Sequence, residues 1–177
     1  MSESVVQEQK QDDVSATAMT TEEREVWAEG VIRKYAYGSI AVGLIPIPLV
    51  DLVALTGVQL KLIHRLSVFY GVQFSKEKSK SIIASLAGAA VPLGLTGTVM
   101  SVFKFVPIVG YAVAAVSMPA LSGASTYAIG KIFMRHFESG GTFLNFDINK
   151  VKTDYEEQVK KGKELAAKLM KTGSQKV

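Results

Sequence analysis

The chain has no cysteine among its 177 residues, which excludes disulfides and thiolate metal sites. Histidine is nearly as scarce. His64 and His136 are the two present, and their separation fits no metal-ligand spacing. No stretch matches the phosphate-binding loop G-x-x-x-x-G-K-[ST]. The nearest approach, Gly94-Leu95-Thr96-Gly97-Thr98, lies in an apolar run without the following lysine, so helix packing is its expected use. The carboxylates gather in the polar ends, and no pair shares an evident pocket. These absences predict a protein that is not an enzyme and has no catalytic residue, cofactor or metal site. The acidic start, MSESVVQEQKQDD, has no apolar core and is not a secretory signal.

Charge is missing from the middle of the chain. Between Ser81 and Gly130 the single charged residue is Lys104. It divides two uncharged runs, 81–103 and 105–130, each as long as the roughly 20 apolar residues that cross a bilayer as a helix. The pattern predicts a membrane-embedded helical hairpin over about 81–130. Small-xxx-small pairs within it, Ala84/Gly88, Ala90/Gly94 and Ala120/Ala124, suit close helix packing in lipid and predict self-association. Pro92 and Pro119 are tolerated better in membrane helices than in soluble ones. Lys76, Lys78 and Lys80 before the hairpin, with Lys131 and Arg135 after it, place both flanks and both termini on the cytoplasmic side. The stretch Tyr35–Leu55 is a weaker third span, opposed by Pro46, Pro48 and Asp51. A soluble oligomer with the hairpin buried between subunits is the other reading.

What remains is polar and helical, so the fold class predicted is all-α: a membrane-associated helical bundle with amphipathic helices flanking the apolar hairpin. Residues 1–25 hold two basic and seven acidic side chains, and residues 1–20 read as a disordered acidic tail. Thr20 or Thr21 is suited to cap a first helix running towards Leu44. Ile45-Pro46-Ile47-Pro48 interrupts it, because residues before proline avoid the α region. Pro48 then opens a second helix to about Tyr70, with Asp51 in its favourable first turn and Gly71 as its C-cap. Leu49, Leu52, Val53, Thr56, Leu60, Ile63 and Leu66 form its stripe, while Gln59, Lys61, His64 and Arg65 mark other faces. Gln59 and Tyr70 are expected to hydrogen-bond between helices. A last amphipathic helix, about 149–170, lies in a basic segment 147–177. Residues 150–177 hold eight lysines against four acids, which suits anionic lipid; no aromatic interleaving supports nucleic acid, which is not an expected partner.

The series Ile45-Pro46-Ile47-Pro48-Leu49-Val50-Asp51, then Gln59, Leu66 and Tyr70-Gly71, resembles the YcjF-like domain of unknown function that accompanies Era-like GTPases. Lys104-Phe105-Val106-Pro107-Ile108-Val109-Gly110 resembles that family's second landmark, and Ala124 to Phe137 its closing stretch. The resemblance spans about 25–140, inside a domain drawn at 21–146. It implies an α-helical, membrane-associated module without activity of its own, linked to a GTPase. This chain has no GTPase domain, so a separate GTPase would be its partner. Pro46, Pro48, Asp51, Gln59, Tyr70, Gly71, Lys104, Pro107 and Gly110 are the structural or interaction candidates. The expected function is a self-associating scaffold of the bacterial inner membrane that recruits or responds to a GTPase. A pore or membrane-remodelling oligomer and a cytoplasmic soluble adaptor or shell are the competing readings.

Overall fold

The computed structural model describes residues 16–43, 50–95 and 107–174, which form five α-helices and a short 3-10 turn at Ala16–Ala18. The helices are α1 (Thr21–Val42), α2 (Val50–Phe69), α3 (Lys76–Leu95), α4 (Pro107–Glu138) and α5 (Ile148–Ser174). No strand occurs among the described residues, in line with the all-α expectation.

Local chemistry fixes the helix ends. The Thr20 hydroxyl accepts the Glu23 N–H at 3.3 Å, and the Glu23 carboxylate accepts the Thr20 N–H at 2.8 Å, a reciprocal cap on α1. Residues 16–20, expected in the acidic tail, are therefore part of the folded unit. Gly71, at φ +67°, closes α2. The Val72 N–H reaches Ser67 O at 2.7 Å and the Gly71 N–H reaches Val68 O at 3.1 Å. Gly140 repeats this device after α4, with bonds from Gly141 to His136 and from Gly140 to Phe137.

The long α4 is the axis of the bundle and packs against α1, α2 and α5; α3 leans on α2 and α5. The core changes character along that axis. Near the Gly71 and Gly140 caps it is aromatic: Trp27 stacks on Phe69 at 3.8 Å, and Phe133 lies between Phe137, Phe143 and Phe146. Toward the other end it is built from small residues. A methyl group on Gly43 would stand 2.8 Å from the Pro119 Cα, and one on Gly130 would stand 2.7 Å from Ile32 Cγ1.

These contacts revise two expectations about the charge-poor stretch. Most of its end, Pro119–Gly130, is interior to the bundle, with Ala124, Ala128 and Ile129 fully buried by α1, α2 and α5 and Leu121 left exposed. Ala124 and Gly130 are thus used within one chain, because their smallness lets neighbouring helices approach. Ala84 and Gly88 stay exposed, with open space where a Gly88 side chain would lie. Among the described residues no helix is long and apolar enough to cross a membrane, so the two full spans are not shown.

Candidate functional site

Two features stand out in the bundle: a buried polar seam and a boundary of charge. The seam begins with Gln59, expected to hydrogen-bond between helices. It is 2% exposed. Its amide nitrogen donates to Ser125 Oγ and Thr126 Oγ1, both at 3.3 Å. Thr126 meets the Ser39 hydroxyl at 2.8 Å, and Ser125 meets the Tyr155 hydroxyl at 3.2 Å. Four helices are joined through hydroxyls and one carboxamide, each buried group answered by another. Such a seam fixes helix register, since sliding one helix by a turn would strand several polar groups in an apolar interior.

Ion pairs flank the seam on the aromatic side. Glu29 accepts from Lys131 at 2.8 Å, from Tyr127 at 3.1 Å and from Arg33 at 3.1 Å. Burial pushes the Glu29 carboxyl up, but the bond and charge of Lys131, helped by Arg33 and Tyr127, hold it below its ordinary value. Asp154 behaves alike: burial raises it, and Arg135 (2.6 and 2.7 Å) with Gln158 brings it down. Lys131 and Arg135, expected as free basic flanks of the hairpin, are thus neutralised by acids of α1 and α5.

Tyr70 faces the pair Arg24–Glu138, whose closest N···O distance is 2.8 Å. Tyr70 Oη and Glu138 Oε2 are buried without a hydrogen-bond partner among the described residues. Burial, then the neighbouring Glu138 carboxylate, pushes the Tyr70 phenol up. Tyr70 thus faces Glu138 of α4 without a well-formed hydrogen bond to it, while the inter-helix bond expected of Gln59 is made. Asp51, Pro107 and Gly110 lie on helices, but their side chains fall outside the described residues, as do Pro46, Pro48 and Lys104 entirely. Among the described residues no group of three or more His, Asp and Glu side chains could hold a metal.

The charge boundary is legible only once the helices are aligned. Ile32, Leu62 and Gly130 touch one another's space and so share one level of the bundle. Beside them in sequence stand Arg33 and Lys34, Lys61, and Lys131. On α3 the corresponding basic residues are Lys76, Lys78 and Lys80, of which Lys76 lines a groove together with Lys61 and Tyr35. Beyond this level, in the direction of the Gly43–Pro119 contact, charge stops on α1, α3 and α4, while α2 keeps one charged residue, Asp51, near its start. Residues 35–43, 53–60, 81–88 and 119–130 contain none. Tyr35 to Gly43 alone spans about 13 Å of helix. Helix α5 breaks the pattern more fully. It runs antiparallel to α4, with Asp154 against Arg135 and Gly162 against Ala124, so its exposed Lys160 and Lys161 flank the charge-poor end on one side.

Comparison with known proteins gives the following. The model of a family described as "Domain of unknown function (DUF697)" matches residues 7–164. Over 147 residues the chain is 40% identical to a protein named Magnetosome membrane protein 22, from Magnetospirillum gryphiswaldense (strain DSM 6361 / JCM 21280 / NBRC 15271 / MSR-1), a stretch that covers 82% of this chain and 75% of that protein. No solved structure matches the chain.

Proposed function

We propose, from the premise that the chain belongs to the DUF697 family, a domain of unknown function, that it is a non-enzymatic helical scaffold associated with a membrane. The observation that carries this reading is the common level beyond which α1, α3 and α4 hold no charge and α2 holds only Asp51. Burial accounts for the lack of charge on much of α4, but exposed positions of α1, α2 and α3 beyond this level, such as Tyr37, Val53 and Ala84, are uncharged as well, as contact with a bilayer requires. The name of the 40% identical relative supports the same reading.

With most of Pro119–Gly130 inside the bundle, the membrane contact rests on the sequence of residues 89–118 and on the charge-poor end beside it. The exposed lysines Lys76, Lys78 and Lys80 support an inner-membrane placement with both termini cytoplasmic. The bare, small-residue face of α3 around Ala84 and Gly88 supports self-association in lipid. Recruitment of a separate GTPase is supported by the resemblance to GTPase-associated domains.

Fractionation of cells expressing the full chain tests the reading. The protein is expected in the membrane fraction, resistant to high salt and released by detergent. Quantitative recovery in the soluble fraction without detergent would overturn it. Cross-linking in the membrane should yield dimers or larger species, and capture with and without a GTP analogue should show whether a GTPase is held.

A further inference from the structure

A groove of about 370 Å³ opens between α1, α2 and the start of α3, a volume in the range of ligand sites. Lys61, Arg65 and Lys76 bring three cationic side chains to it, and no acidic residue lines it among the described residues. The Arg65 guanidinium carbon sits 5.9 Å from the centre of the Trp27 ring, which itself stacks on Phe69. His64 packs edge-on against Phe74, so one wall is a fixed aromatic surface. The groove is therefore both cationic and apolar, and it suits a ligand with an anionic head and a hydrocarbon part.

Its place on the bundle narrows the ligand further. The groove lies at the charge boundary, with Lys76 on one side and Tyr35 and Leu60 opening the charge-poor end. Positions 53, 57, 60, 64 and 68 follow i, i+4, i+7 spacing and share one stripe of α2. Val68 and His64 line the groove, Leu60 lies at its edge, and Val53 beyond it is 73% exposed. Between them Gly57 leaves open space, since a methyl group there would meet nothing within 4 Å. A basic head-sized groove thus leads into an open apolar track on the side that the previous reading turns to lipid.

We infer that this groove binds the phosphate headgroup of an anionic phospholipid, with one acyl chain lying along Leu60, Gly57 and Val53. The inference rests on the membrane association proposed above. Lys61 and Lys76 supply the charge that selects an anionic head, Arg65 braced on Trp27 supplies a rigid planar donor, and the glycine keeps the track open.

Trp27 is the single tryptophan of the chain, which gives a spectroscopic report from beside Arg65. The full chain in neutral detergent micelles would be titrated with dihexanoyl phosphatidylglycerol, following Trp27 emission. Saturable binding is expected, at least about tenfold tighter than for dihexanoyl phosphatidylcholine. The surface variant Lys61→Gln/Lys76→Gln should weaken it about thirtyfold, from ~1 kcal/mol per basic residue. Lys160→Gln/Lys161→Gln on α5 should leave it unchanged, and Gly57→Leu should weaken it by blocking the track. Equal binding of the two lipids, or an unchanged Lys61→Gln/Lys76→Gln variant, would overturn the assignment. Glycerol 3-phosphate binding as tightly as the lipid would overturn it in favour of a soluble phosphate ester. A chain that fractionates with membranes yet fails this titration refutes the groove alone; a chain recovered as soluble refutes the membrane reading itself.

Discussion

Gly162 of α5 lies so close to Ala124 of α4 that a methyl group on it would stand 2.7 Å from the Ala124 Cα and 2.9 Å from its carbonyl oxygen. The glycine that weakens α5 as an isolated helix is the residue that lets α5 approach α4. Backbone cannot move aside as a side-chain tip can, so the clash outweighs the ~1 kcal/mol gain in helix propensity. Gly162→Ala is expected to lower stability by about 1–2 kcal/mol in chemical denaturation. Gly38→Ala on exposed α1, where nothing lies within 4 Å, should instead raise it by about 0.5–1 kcal/mol. Equal effects of the two changes would refute the close crossing.

The seam predicts strong coupling between residues distant in sequence. Gln59→Leu leaves Thr126 and Ser125 without the amide donor, and a cost of about 1–3 kcal/mol is expected. Thr126→Val alone takes one partner from Gln59, which keeps Ser125, and one from Ser39, which keeps the Tyr35 carbonyl, and should cost about 1 kcal/mol or more. The double change removes both sides together, so its cost should fall short of the summed single costs by about 1 kcal/mol or more. A denaturation cycle on the four proteins measures this, and strict additivity would mean that the seam holds nothing together.

Tyr70 gives the opposite expectation. Its hydroxyl is buried without a hydrogen-bond partner among the described residues, so removing it relieves a desolvated group. Tyr70→Phe should leave stability unchanged within about 0.5 kcal/mol or increase it, by thermal unfolding. A loss above 1 kcal/mol would show a bond to Glu138 that the geometry does not.

Stability should fall in acid, and the sign follows from two carboxylates. Glu29 and Asp154 are both held below their ordinary values when folded. Their contribution is therefore present above the unfolded carboxylate range and is lost as pH falls through the lower folded values. Unfolding midpoints measured from pH 7 down to pH 3 should drop, with the loss concentrated below about pH 4.5. Glu29→Gln should be less stable at pH 7 and show a shallower decline, since it has no proton to take up. A parallel decline in the variant would remove Glu29 from the account.

Local signals were the readable part of this chain. Thr20 with Glu23 three residues on, and Tyr70-Gly71 at the end of a stripe, are short-range patterns that define a helix end without reference to the rest of the fold. An inter-helix bond for Gln59 was readable, but its partners were not, because they come from positions 125 and 126, on another helix. The acids that pair with Lys131 and Arg135 were hidden for the same reason: Glu29 and Asp154 are brought in by α1 and α5. The charge boundary was present in the residues all along. It became visible only when Gly130, Ile32 and Leu62 showed which levels of the four helices coincide.

The pairing of α1 with α4 also sets an order of events during synthesis. Arg24 waits for Glu138, 114 residues later, and Ser39 waits for Thr126, 87 residues later. At ~5–20 residues per second, α1 leaves the ribosome roughly 5–20 seconds before its main partner exists. Until then α2 is the helix available to pack against α1, and the side that carries Ala36 and Ser39 is without its α4 partner. The α1–α4 half of the bundle therefore closes only after the charge-poor stretch has been made, however early α1 itself becomes helical.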